Sequence, residues 1–239
     1  MGMNDNISGS NSNDLLFGGN GKDTISGNEG NDSISGGNGK DLLLDSFGSD
    51  TLDGGRGDDV LHTFSDAGEP EIAQTTDESK VYPDQPYLDA NDVLTGGNGA
   101  DLFRFDLLLN AKYEIAAKHA DAVTGEINWR AVAGENDNVH DHWVDAIGDD
   151  IILDYSSDQG DRISIYGHTV EASLTYSDVD GDGVNESIIS LVSNQGGAGA
   201  HQGDQLGTIT VFGDPVLESD LSVDRRVFYG AADTLAELV

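Results

Sequence analysis

From residue 5 to residue 62 an aliphatic side chain recurs every ninth position: Ile7, Leu16, Ile25, Ile34, Leu43, Leu52 and Leu61. Two residues before each stands an aspartate: Asp5, Asp14, Asp23, Asp32, Asp41, Asp50 and Asp59. A period of nine is not the rhythm of a helix, so it marks a structural repeat. Each unit reads as a turn followed by a three-residue strand whose middle side chain points inward. One such strand cannot bury its face alone. Two units therefore make a coil, with aliphatics from two sides meeting between them. The aspartates then stack along two edges, Asp14, Asp32 and Asp50 on one, and Asp5, Asp23, Asp41 and Asp59 on the other.

The turns share a template. Gly18-Gly19-Asn20-Gly21-Lys22-Asp23, Gly36-Gly37-Asn38-Gly39-Lys40-Asp41 and Gly54-Gly55-Arg56-Gly57-Asp58-Asp59 all read Gly-Gly-x-Gly-x-Asp. Gly27-Asn28-Glu29-Gly30-Asn31-Asp32 and Asp45-Ser46-Phe47-Gly48-Ser49-Asp50 keep only part of it. The phase is lost after His62 and returns with Asp92-Val93-Leu94 and Gly96-Gly97-Asn98-Gly99-Ala100-Asp101-Leu102-Phe103. Neighbouring coils of a parallel sheet lie ~4.8 Å apart. Carboxylates stacked at that spacing repel unless a cation lies between them. A hard cation with flexible oxygen coordination suits the gap, which points to Ca²⁺ rather than Mg²⁺.

Charge sharpens this picture. With 45 Asp plus Glu and 11 Lys plus Arg, the formal charge is 11 − 45 = −34. Nucleic acid and anionic membrane surfaces are excluded as partners, because both require a basic face. Of the acids 34 are Asp and 11 Glu, an excess of the shorter carboxylate that favours loops over helices. There is no cysteine, hence no disulfide, thiolate metal site or cysteine nucleophile. No apolar run reaches the ~20 residues of a membrane span. The N-terminus shows no basic region followed by an apolar one, so the expectation is an intracellular protein, a fragment, or export that needs no N-terminal signal.

On these motifs, residues 5–62 and 91–105 resemble the nonapeptide repeats of RTX (hemolysin-type) calcium-binding proteins. The resemblance implies an all-β chain built on a right-handed parallel β-roll, with several Ca²⁺ ions held between loops one coil apart. Carried over to these positions, one site pairs Asp23 and the Gly19 and Gly21 carbonyls with Asp41 and the Gly36 and Asn38 carbonyls. Further pairs are Asp14 with Asp32, Asp32 with Asp50, and Asp41 with Asp59. Gly27, Asn28, Gly30, Gly37, Gly39, Gly54 and Arg56 occupy the matching loop positions, and Asp92 and Asp101 continue the series.

The rest of the chain is less periodic. Residues 63–88 read as a polar loop inserted in the roll, which spans 1–105. An insertion at 106–147 carries an expected helix from Leu107 to about Ala122. It also holds Trp129 and the cluster His140-Asp141-His142-Trp143 with Asp145, which offers a transition-metal, sugar-stacking or packing role. From 148 to 239 longer strands are expected. Ile151-Ile152-Leu153-Asp154-Tyr155 and Asp161-Arg162-Ile163-Ser164-Ile165 resemble the segment after the roll in RTX proteases, which implies a C-terminal antiparallel β-sandwich cap. Asp178, Asp180 and Asp182 alternate around Gly181 like the start of an EF-hand loop, with Glu186 as a closing ligand; the twelfth position is Ile189, so the motif is incomplete.

The final Ala236-Glu237-Leu238-Val239 is similar to the C-terminal signals of type I secretion substrates. The resulting expectation is a non-catalytic, secreted calcium-binding module of a larger exported protein, with the type I secretion machinery as partner. Two alternatives stay open: a polysaccharide-acting enzyme using His140 and His142, or a Ca²⁺-dependent adhesin binding extracellular glycan through Trp129 and Trp143.

Overall fold

The computed structural model describes residues 2–45, 47–64, 90–107, 109–110, 143–144, 146–167, 170–193 and 205–224. Among them every regular element is a β-strand. Seven strands form one sheet in the order β1 (Asn6–Ser8), β3 (Thr24–Ser26), β5 (Leu42–Leu44), β7 (Val60–Phe64), β9 (Leu102–Asp106), β13 (Arg162–Tyr166) and β17 (Leu221–Asp224). Every neighbouring pair is parallel. The facing sheet runs β2 (Leu15–Gly21), β4 (Ser33–Gly39), β6 (Thr51–Arg56), β8 (Val93–Asn98), β12 (Gly148–Tyr155) and β16 (Gln205–Gly213), again all parallel. From β1 to β9 the chain passes from one sheet to the other at each turn, so successive strands build a parallel β-roll.

The nine-residue aliphatic pattern becomes two columns inside the roll. Ile25, Leu43, Leu61, Phe103 and Ile163 are register partners in one sheet, all completely buried. Ile34, Leu52, Leu94, Ile152 and Val211 do the same in the other. Each such side chain contributes about 1.5–3 kcal/mol by leaving water. The column is one residue wide per sheet, and the turns on both sides must be tight. In the template loops the second glycine takes a left-handed φ: +99° at Gly19, +101° at Gly37, +98° at Gly55 and +95° at Gly97. Side-chain-bearing residues pay heavily there.

All the long departures from the repeat leave by one edge. They lie between β7 and β8, between β9 and β12, and between β13 and β16, whereas the opposite edge has only short turns. The roll register survives each departure. Val93 pairs with Thr51 after the first, and Ile151 pairs with Val93 after the second.

Two expectations change here. The chain is extended, not helical, just after Leu107: Leu109–Asn110 (β10) pairs antiparallel with Trp143–Val144 (β11). Leu107 itself donates its N–H to the Tyr166 carbonyl at 2.7 Å, which keeps the backbone in sheet geometry. The remainder of the expected helix, residues 111–122, lies outside the described residues, as do residues 65–89. Beyond Gly148, β12, β13, β16 and β17 join the roll's own sheets in parallel. Among the described residues after Gly148, antiparallel pairing is confined to β14 (Val170–Ser177) with β15 (Glu186–Ser193) and to the β15–β16 pair, which extend one sheet past the last coil. A separate sandwich is not formed among the described residues.

Candidate metal centre

From the second coil onward, each stacked aspartate uses one carboxylate oxygen to accept from its neighbour's backbone. On the edge with short turns, the backbone N–H groups of Asp5, Asp23, Asp41, Asp59 and Asp101 donate to Oδ1 of Asp23, Asp41, Asp59, Asp101 and Asp161 at 2.7–2.9 Å. On the other edge Asp14, Asp32, Asp50 and Asp92 donate to Oδ1 of Asp32, Asp50, Asp92 and Asp150 at 2.6–2.9 Å. Both ladders thus run past the recognisable repeats. Asp150 and Asp161 escaped the sequence reading because the intervening segments break the spacing of nine. The strands they precede, Ile151-Ile152 and Arg162-Ile163, carried the only signal.

The second oxygen has another destination. Oδ2 of Asp23, Asp32, Asp41, Asp59 and Asp101 is buried without a hydrogen-bond partner. A buried unsatisfied carboxylate oxygen is costly, so a ligand for it is implied. The first glycine of each loop leaves room beside it. A Cβ on Gly18 would lie 2.6 Å from Asp23 Oδ2 and 2.7 Å from the Gly36 carbonyl oxygen. A Cβ on Gly36 would lie 2.7 Å from Asp41 Oδ2 and 2.8 Å from the Gly54 carbonyl, and one on Gly54 would meet Asp59 Oδ2 and the Gly96 carbonyl. Carboxylate and carbonyl oxygens from consecutive coils therefore converge on a gap kept open by glycine. This donor set fits a hard cation, which supplies the positive charge that the ladder lacks.

Burial makes the same point electrostatically. Desolvation, reinforced by the neighbouring carboxylates, pushes Asp59 up to about 6 and Asp101 up to about 7, against partial relief from the donated backbone N–H. Asp32 and Asp41 shift upward for the same first cause.

The family described as RTX calcium-binding nonapeptide repeat (4 copies) matches residues 1–34, 35–63 and 88–106. These segments are RTX calcium-binding repeats. No curated protein matches the chain. Among solved structures, the AlgE6R3 subunit of the Azotobacter vinelandii mannuronan C5-epimerase is 20% identical, with 98% of this chain and 83% of that one covered and a TM-score of 0.24. The extracellular lipase LipA of Serratia marcescens is 14% identical, with 89% and 38% covered and a TM-score of 0.21.

The RTX loops are not all alike. Asp14 Oδ2 accepts from both the backbone N–H and the hydroxyl of Ser10, at 2.6 and 2.9 Å, which lowers its pKa and leaves that oxygen engaged within its own loop. Gly27 and Gly30 hold the second loop, where Asn28 takes a φ of +69° and donates through Nδ2 to the Gly9 carbonyl at 2.9 Å. Gly19, Gly21, Gly37, Gly39, Asn38 and Arg56 form the loop tips, where Gly19 pairs with Gly37, Gly21 with Gly39 and Asn38 with Arg56 in the neighbouring coil. The carbonyls that share these gaps with the orphaned oxygens come from the first glycine of the next loop: Gly36 and Gly54, which were expected among the ligands, and Gly96, which was not. At the far end the series closes on side chains: Asp154 accepts from Gly96 N–H and Gly97 N–H, both at 2.8 Å, and Asp161 Oδ2 accepts from Ser156 N–H at 2.8 Å.

The β14–β15 turn brings together Asp178, Asp180 and Glu186, whose ligand oxygens all lie within 4.8 Å of one another. Asp178 accepts from Gly181 and Gly183 N–H, and buried Glu186 accepts from Val179 N–H. Asp182 instead accepts from Val184 N–H at 2.7 Å.

One buried polar group had no signal in the sequence. Arg104 grips Asp106 through Nε and Nη2 at 2.8 and 3.0 Å and lies over the Tyr166 ring at 4.1 Å, while His62 Nε2 is 2.9 Å from Asp106 Oδ2. Burial lowers the His62 pKa. Trp129, His140, Asp141, His142 and Asp145 lie outside the described residues.

Proposed function

We propose that this chain is a calcium-dependent folding module without catalytic activity of its own, belonging to a protein exported through type I secretion machinery. In this reading the RTX roll (1–105) is the calcium-loaded body, 106–147 is an insertion, and 148–239 caps the roll and carries the export signal. The observation that supports it is the row of buried Asp Oδ2 atoms without partners beside glycine-lined gaps. Such a chain, with a net charge of −34, gains folding free energy from each cation bound only by the folded state. Low Ca²⁺ inside the cell keeps it expanded and exportable. Extracellular Ca²⁺, at the ~10⁻⁴–10⁻³ M to which extracellular modules are tuned, folds it.

The test is a far-UV circular dichroism titration of the chelator-treated chain with Ca²⁺, with Mg²⁺ as control. A cooperative gain of β signal with Ca²⁺ alone is expected. Full β signal in chelator would refute the proposal.

A further inference from the structure

The third coil breaks the repeat at the position that matters most. Where Gly9 and Gly27 begin their loops, the third coil has Asp45. The missing Cβ of Gly27 would run into Asp32 Oδ2, so a side chain at this place projects directly into the cation gap. Asp45, Asp50 and Asp92 are all buried, and one carboxylate oxygen from each lies within 4.8 Å of the other two.

A second, independent feature points into the same gap. Thr63 is 1% exposed and its hydroxyl has no hydrogen-bond partner. Leu44 pairs with His62, and Asp45 N–H donates to the His62 carbonyl at 3.1 Å, which sets Thr63 beside Asp45 in the neighbouring coil. Leu43 and Leu61, two residues earlier, both face the core, so by strand alternation Asp45 and Thr63 face the same interior. Phe64 N–H donates to Asp45 Oδ1 at 3.2 Å, holding the carboxylate against this strand.

We infer that Asp45, Asp50, Asp92 and the Thr63 hydroxyl form a distinct hard-cation site, built of three carboxylates and a hydroxyl instead of two carboxylates and glycine carbonyls. This rests on the calcium reading of the ladder but assigns it a site that the repeat template lacks. Three carboxylates leave one negative charge uncompensated by Ca²⁺, so the site binds Ca²⁺ more tightly than its neighbours and prefers a trivalent lanthanide still more strongly. It lies on the edge from which the long insertions depart, so its occupancy clamps the roll where the repeat is interrupted.

The test is calorimetric titration of the chelator-treated full chain with Ca²⁺ and with La³⁺, for wild type, Asp45→Asn, Asp45→Gly and Thr63→Val. Wild type is expected to bind one more ion than Asp45→Asn, the lost ion belonging to the tightest class. Asp45→Gly, which restores the repeat glycine, covers the case of an unfolded Asn variant and is expected to weaken the tightest class at least about tenfold. Thr63→Val is expected to weaken that class too. If the hydroxyl were merely buried, its removal would raise stability and leave affinity unchanged. Unchanged ion count and affinity in a folded Asp45 variant, or unchanged affinity in Thr63→Val, would overturn the inference while leaving the ladder intact. A wild type that takes up no Ca²⁺ would overturn the proposed function itself.

Discussion

The backbone N–H of Asp41 donates to Oδ1 of Asp59 at 2.7 Å, one coil further along, while Asp59 Oδ2 is buried without a hydrogen-bond partner. A single carboxylate thus does two jobs: one oxygen joins consecutive coils and the other is left for a cation. The two jobs can be separated by substitution.

Asp59→Asn keeps an oxygen acceptor for Asp41 N–H but removes the charge. Asp59→Ala removes both and strands a buried N–H, at an added cost of about 1–3 kcal/mol. Both variants should need more Ca²⁺ to fold. At saturating Ca²⁺ only the alanine variant should show the further loss, read as a lower thermal midpoint than that of the asparagine variant. Equal midpoints would show that the ladder hydrogen bond contributes nothing.

Protons should partly replace calcium. Asp59 and Asp101 sit near about 6 and about 7 in the fold, against an unfolded value near ~3.9. Raised carboxylate values mean that the folded state takes up protons, so this contribution to stability is complete below pH ~4 and is lost as pH rises through about 6 to about 7. In chelator, β signal should therefore increase on going from pH 8 to pH 5. With Ca²⁺ present, the Ca²⁺ needed to reach the folding midpoint should fall as pH drops from 8 to 5, because protons and Ca²⁺ both favour the folded state. A chelated chain whose β signal falls steadily with acid would contradict this account.

Most of the roll was legible because its core is periodic. Ile25, Leu43 and Leu61 repeat at eighteen residues and become register partners, and the aspartates two residues earlier follow. Asp150 and Asp161 were not legible as ladder members, since their alignment with Asp92 and Asp101 depends on coil stacking across long insertions. The C-terminal strands show the same limit. Their alternating pattern fits parallel and antiparallel partners equally well, and only three-dimensional pairing placed β12 and β13 in the roll. Asp45 was visible as a departure from the template, but its approach to Asp92 was not.

The Arg104–Asp106 pair should be strongly coupled. Both side chains are buried, so Asp106→Ala removes a carboxylate that pairs with the buried Arg104 guanidinium and lies beside His62. Removing one member of a buried pair costs about 3–5 kcal/mol, whereas replacing both by apolar residues of similar volume is often close to neutral. Urea unfolding at saturating Ca²⁺ should show Asp106→Ala as severely destabilised and Arg104→Met/Asp106→Leu as much less so. Additive losses in the double variant would mean that the two side chains act independently.

Gly19 and Gly37 offer a test of stacking itself. Both are the second glycine of a template loop, and their φ values, +99° and +101°, are nearly identical. An alanine at either pays the same left-handed backbone penalty, about 1–2 kcal/mol. Their surroundings differ: a Cβ on Gly19 would meet nothing within 4 Å, whereas one on Gly37 would overlap the Gly19 carbonyl of the preceding coil. Gly37→Ala should therefore lose about 1–3 kcal/mol more than Gly19→Ala through steric overpacking. Thermal unfolding in saturating Ca²⁺ measures the difference. If the two variants melted together, the loops would be too loosely stacked to hold the oxygen-lined gaps on which calcium binding depends.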